Sequence, residues 1–229
     1  MIKLMKLELK KHSLGWYFSS AFIASLCIIA ILILINYVET PNAVPLRDLD
    51  EALIVVGAIA RVTCVILGGV LVAKLIVEEY KNKTIFILFS YPISRKKLLG
   101  AKLLFITILT FITVFVTNLL SAGLLMLLNS YLHFIPGNVD TAFLLKQLLS
   151  MLTFSVATAG TSLIPLYFGM RKHSVPATIV SSIVIVALIG SHNPEFSIAS
   201  IVYVPLALAV VGVLIAAWTI RNVETADVG

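Results

Sequence analysis

Five stretches of this chain, 13–38, 103–139, 147–170, 174–194 and 196–220, each exceed twenty residues without a single Asp, Glu, Lys or Arg. A sixth, 52–77, is interrupted only by Arg61 and Lys74. In hydrocarbon every backbone N–H and C=O must be satisfied internally, so runs of this length fold as spanning helices. Apolar side chains make up 60% of the chain and charged ones 12%, with a mean hydropathy of +1.07. A soluble domain holds about 25% charged residues. A chain of 229 residues has too little interior to bury so much apolar surface. The sequence therefore predicts an all-α integral membrane protein.

A span needs about 20 apolar residues to cross roughly 30 Å of hydrocarbon. Turn residues and charges trim the runs to six predicted helices, 14–38, 52–77, 103–129, 147–168, 174–190 and 198–220. The fifth is the shortest, and Pro176 lies in its first turn. With the N-terminus inside, the cytoplasmic segments hold Lys3, Lys6, Lys10, Lys11, Lys81, Lys83, Arg95, Lys96, Lys97, Lys102, Arg171, Lys172 and Arg221. Only Arg47 and Lys146 fall outside, a strong positive-inside bias that puts both termini in the cytoplasm. Trp16, Tyr80, Tyr167 and Trp218 fall at the inner boundary, and Tyr37, Tyr131 and Tyr203 at the outer one. The net charge of +6 is thus explained by topology and anionic lipid, without nucleic acid. No cleavable signal peptide is evident, so the first run reads as a retained span. Cys27 and Cys64 lie within spans and suggest neither a disulfide nor a metal site.

The segments outside the lipid carry more specific information. Residues 1–12 place Leu4, Leu7 and Lys11 on one helical face and Lys3, Lys6 and Lys10 on another. This predicts an amphipathic interfacial helix; the simpler alternative is a basic tail that only sets topology. Between the second and third spans, Glu78-Glu79-Tyr80-Lys81-Asn82-Lys83-Thr84 leads into the apolar run Ile85-Phe86-Ile87-Leu88-Phe89. Ser90-Tyr91-Pro92-Ile93-Ser94-Arg95-Lys96-Lys97 follows. Such a run is too short to span and too apolar for water, so it lies on the membrane or docks into a partner's groove.

The pattern formed by Glu79, Thr84, Pro92, Ser94, Arg95 and Lys102 resembles the permease subunit of type-2 ABC (ATP-binding cassette) transporters. This chain has Lys83 where that family often has Gly before the Thr. The resemblance implies that segment 82–92 is a coupling helix seated in a cleft of the ATPase, with Glu79, Thr84, Phe86, Leu88, Phe89, Pro92, Ser94 and Arg95 serving the coupling. No G-x-x-x-x-G-K-[ST] phosphate loop occurs, so ATP and Mg are expected in a separate ATPase subunit, two copies per complex, with no cofactor in this chain. A second permease, identical or related, would complete the path. An interfacial helix that merely connects two spans is the alternative for this segment.

Arg61 lies nine residues past Ala52, about 14 Å deep at 1.5 Å per residue. A charge there costs about 2.5–3.5 kcal/mol, and none of the six predicted spans contains an acid to pair with it. Either it lines a translocation path together with Asn118 and meets anionic groups of a substrate, or it is a structural Arg bonded to carbonyls or to Asn118. Lys74, close to the inner boundary, reads as a snorkelling side chain. Ser150, Thr153, Ala157, Gly160 and Thr161, with the pairs Gly69–Ala73 and Gly212–Ala216, read as helix-packing surfaces. His133, His192 and the acidic stretch 48–51 lack metal-ligand spacing.

Short outer loops leave no room for a large extracellular domain and favour export over import. Small permeases of this kind resemble those for antimicrobial-peptide immunity and for export of bacitracin-like drugs or amphipathic toxin peptides. The resemblance thus implies a multi-pass protein of the bacterial cell membrane that moves amphipathic or hydrophobic cargo. The alternatives are a secondary transporter, an intramembrane protease suggested by Glu78-Glu79, or a membrane scaffold without transport.

The six-span topology is testable by cysteine accessibility. Asp50→Cys, Asp140→Cys and Glu195→Cys should react with an impermeant reagent in intact cells, and Lys81→Cys and Arg171→Cys only after permeabilisation. Labelling of position 171 from outside would overturn it.

Overall fold

The computed structural model describes residues 15–38, 49–82, 94–132, 141–172, 174–189, 192–193, 196–197 and 203–222. The first helix, α1, is Gly15–Val38. The second, α2 (Leu49–Val72), continues through a π-helical turn at Ala73–Val77 into the short α3 (Glu78–Lys81). Then come α4 (Arg95–Leu132), α5 (Thr141–Thr161), α6 (Pro165–Lys172), α7 (Val175–Ile189) and α8 (Tyr203–Asn222). A minimal antiparallel hairpin pairs His192–Asn193 with Phe196–Ser197. The interfacial helix expected over 1–12 and nearly all of segment 82–92 lie outside the described residues.

Among the described residues, five helical stretches are long and apolar enough to cross a membrane: Gly15–Leu34, Ala52–Lys81, Lys96–Ser130, Thr141–Lys172 and Tyr203–Arg221. The remaining apolar helix, α7, has 15 residues and rises about 22 Å, short of a 30 Å core. Three of the observed helices outrun the spans expected from hydropathy. The second reaches Lys81, and α4 starts at Arg95 rather than 103, because its basic first turns lengthen the helix without costing it hydrogen bonds. The fourth starts at Thr141 and is broken where one span was expected over 147–168. Pro165 has no N–H and its ring crowds the carbonyl four residues back. The chain meets this with tight turns, Leu163 N–H donating to Gly160 O and Ile164 N–H to Thr161 O, and restarts with Pro165 as the first residue of α6.

Two apolar cores stack along the bundle. One gathers Tyr17, Leu75, Ile76, Val77, Leu99, Leu103, Ile106, Leu166 and Ala216. The other gathers Ile28, Leu32, Leu49, Leu53, Val56, Ala122 and Leu125. The start of α1 and the end of α8 therefore share one end of the bundle. That end also carries Lys81, Lys96, Lys97, Arg171, Lys172 and Arg221, and the Tyr167 and Trp218 rings meet there at 6.0 Å.

The outer surface is apolar, and beside the two cores the closest helix contacts are made by small residues. Helix α7 turns Val180, Ile183 and Val184 outward while Thr178 and Ser182 are fully buried. Gly69 receives Ser182, Gly68 receives Ser162 and Thr110, and Gly169 receives Thr178. The tightest crossing joins α5 to α8, where a Cβ on Gly160 would stand 2.6 Å from Ala209 Cβ and 2.8 Å from its Cα. Gly160 also lies against Gly212. Backbone touches backbone there, so neither helix has a flexible side chain that could give way.

Gly160→Val should therefore destabilise the folded protein by about 1–3 kcal/mol, the usual cost of overpacking, in an SDS-unfolding titration. Gly123 meets nothing within 4 Å, so Gly123→Ala should leave the transition in place.

Candidate functional site

Two places gather the polar chemistry of the chain, and the first is the junction at the basic end. Glu79 on α3 and Lys102 on α4 are both buried, with side-chain exposures of 7% and 2%. Lys102 Nζ donates to Glu79 Oε2 at 2.7 Å and to the Leu75 carbonyl at 3.1 Å. That carbonyl belongs to the π-helical turn, where Glu78 N–H reaches back five residues to Ala73 O. A widened turn loosens the hydrogen-bond ladder, and Lys102 supplies a charged donor to it. The ammonium thus meets a carboxylate and a carbonyl at once.

The ion pair closes a loop. Glu79 lies near the end of the second helical stretch and Lys102 two turns into α4, so the pair fixes the two helix ends that flank segment 82–92. Ser94 is exposed and stands at the N-cap position of α4, accepting from Lys97 N–H and Leu98 N–H. Arg95 is the first residue of that helix. Thr84, Phe86, Leu88, Phe89 and Pro92 lie outside the described residues. Of the residues expected at the coupling segment, Glu79 is therefore engaged within the chain. The sequence pattern already contained Lys102, but pattern alone did not reveal that the two residues pair across 23 positions.

The second place is a cavity of about 180 Å³ inside the bundle. Leu53, Ile54, Gly57 and Arg61 form one face of α2, and Gln147, Ser150, Met151 and Phe154 form the facing stripe of α5. Both stripes follow the three-and-four spacing of a single helical face. Buried Asn118 of α4 adds a polar wall and donates its amide to Val114 O at 3.1 Å. Arg61 and Asn118 line the same cavity.

Neither partner suggested for a structural Arg61 is met. Its guanidinium lies over the Phe154 ring, 4.0 Å from the centroid, and among the described residues it has no hydrogen bond or ion pair. A cation–π contact returns about 0.5–2 kcal/mol, against roughly 2.5–3.5 kcal/mol for placing the charge at this depth. The ring alone leaves the charge under-compensated. Phe154 was invisible as a partner because nothing local marks an aromatic 93 residues downstream, and Ser150 had read as packing. Lys74 is exposed and sits over the Trp16 ring at 4.2 Å, so its stem and charge use the aromatic boundary.

Among the described residues no group of three or more His, Cys, Asp or Glu could hold a metal ion.

Residues 4–190 match the family described as ABC-2 family transporter protein. Over 227 residues the chain is 47% identical to "Uncharacterized protein YcbO" of Bacillus subtilis (strain 168), covering 99% of this chain and 100% of that relative. No solved structure matches it.

Breaking the buried ion pair from one side should cost about 3–5 kcal/mol, because the other charge is left without compensation. Lys102→Met and Glu79→Gln are each expected to lower the SDS-unfolding midpoint sharply. The double variant Glu79→Leu with Lys102→Leu should recover much of that loss. Additive losses in the double variant would show that the pair is not the stabilising unit.

Proposed function

The chain belongs to the ABC-2 transporter family, and from that premise we propose that it is the permease subunit of an ATP-driven exporter for amphipathic cargo. Family membership makes it a membrane component of an ABC transporter, a multi-pass protein whose ATPase resides elsewhere. The further proposal is that segment 82–92 seats in a groove of two ATPase copies, and that two permeases, identical or related, enclose the path. It also holds that the bundle crosses six times with both termini in the cytoplasm of a bacterial cell.

The observation that carries the coupling proposal is the Glu79–Lys102 pair. A buried ion pair that locks the two flanking helix ends ties both attachment points of the intervening segment to α2 and α4. Force applied to Phe86 or Phe89 would then reach the helices that bear Arg61 and Asn118. Export also fits the small cavity with an under-compensated cation, which suits a charged group attached to an apolar body. A protease reading would need Glu79 free for chemistry, and its carboxylate is committed to Lys102.

Buried aromatic anchors commonly carry 2 kcal/mol or more at an interface, so losing one weakens association by about thirtyfold. Phe86→Asp and Phe89→Asp are expected to release the partner ATPase, or to uncouple its hydrolysis from transport, while membrane insertion is unchanged. Co-purification of the ATPase together with substrate-stimulated hydrolysis measures both. Normal binding and transport in both variants would remove the segment from the coupling role.

A further inference from the structure

We infer that the cavity between α2 and α5 holds the compact oxyanion head of a membrane amphiphile while the tail stays in the surrounding lipid; this rests on the permease reading and names the head group of its cargo.

The charge balance of the cavity is the first ground. Among the described residues its lining holds one cation, Arg61, and no carboxylate. A single negative charge is what completes it.

The geometry of the guanidinium is the second. Arg61 Cζ lies over the Phe154 ring, 4.0 Å from its centroid. Among the described residues no hydrogen bond or ion pair engages the guanidinium, so its fork of N–H donors is available to a ligand. That fork matches the two oxygens of a carboxylate or phosphate. Ser150, on the same stripe of α5 one turn before Phe154, and Gln147 add a hydroxyl and an amide to the lining.

Size and position give the third. The cavity volume is about 180 Å³. Sites for whole drug-sized ligands run to about 300–1,000 Å³. A head group of a few heavy atoms fits; a peptide or a complete drug does not. Ile54 both lines the cavity and is 53% exposed, so the mouth opens on the apolar outer surface of the bundle. Leu144 and Leu148 of α5 also face outward. A ligand that enters there arrives from the bilayer, and an acyl tail left outside lies against the surface that lipid already covers.

The test uses the purified full-length chain in a neutral detergent, with bound lipid counted by native mass spectrometry. The probes are dioleoyl phosphatidylglycerol, oleate, dioleoyl phosphatidylcholine and inorganic phosphate. The wild type should prefer phosphatidylglycerol to phosphatidylcholine by about tenfold or more. Arg61→Gln should abolish that preference, and Arg61→Lys should keep part of it. Gly57→Leu, which fills the cavity from α2 and keeps the charge, should also lose the lipid. If Arg61→Gln does not fold, Gly57→Leu decides.

Binding of oleate as well as phosphatidylglycerol would show that the head's charge is read; binding of phosphatidylglycerol alone would assign a phosphodiester. Equal retention of charged and zwitterionic lipid by the wild type would overturn the inference. Retention of the preference by Gly57→Leu and by folded Arg61→Gln would do the same, as would competition by inorganic phosphate as effective as that of the lipid. Co-purification of the ATPase is scored in parallel. Its absence from the wild type would sink the permease reading and leave the lipid measurement to stand alone.

Discussion

Helices in a bilayer gain little by hiding apolar surface from one another, because the lipid outside is as apolar as the neighbour. Close approach and polar contacts must supply what the hydrophobic effect supplies in water. The interior of this bundle follows from that constraint. Glycines at 68, 69, 160 and 169 receive hydroxyl side chains or backbone from the facing helix. Most of the buried hydroxyls ask nothing of their neighbours: Thr113 donates to Leu109 O, Thr161 to Ala157 O, Thr178 to Ser174 O and Ser182 to Ile179 O. Satisfied on their own helix, they behave as small, weakly polar packing units. The charged groups are different, since no local carbonyl can neutralise them, and they set the specific contacts of the fold.

Between the two apolar cores α2 and α4 carry a polar belt. Arg61 of α2 lines the cavity with Asn118 of α4, Cys64 is buried a turn further along α2, and Thr113, Thr117, Asn118 and Ser121 of α4 are all buried. The belt sits where a substrate group crossing the bilayer would have least help from water. At the basic end the ion pair works in the opposite sense, closing a junction where the belt leaves a cavity open. One chain thus combines a stiff end, where a partner is proposed to push, with a less tightly filled middle.

Much of this was legible from residues alone. Uninterrupted apolar runs mark the axes of α1, α2, α4, α5 and α8 because lipid selects composition along the whole length of a helix. Helix ends were less legible, since α4 continues through Arg95, Lys96 and Lys97 where hydropathy stops. The break before Pro165 is local chemistry that a hydropathy window averages away. The Glu79 pattern was visible as a motif, and its meaning as an ion pair was not, because pairing depends on how two helix ends converge. Arg61 declared itself by its cost in lipid. Its partner Phe154 could only be found in three dimensions.

The π-helical turn at Ala73–Val77 has a bearing on which residues can change places in this chain. A π turn accommodates one more residue than an α turn over nearly the same rise. Every side chain beyond it is therefore carried round the axis by about 100° relative to an uninterrupted α-helix. Glu79 faces α4 because of that extra residue. If the turn closed as an α-helix with all its residues kept, the acid would point away from Lys102 and Lys81 would turn with it. Deleting one residue between Ala73 and Val77 instead removes the widened turn and leaves the acid facing α4. The facing of the acid is thus set by how this turn absorbs its extra residue as much as by residue type, and substitutions that close the turn at fixed length are the ones that rotate it.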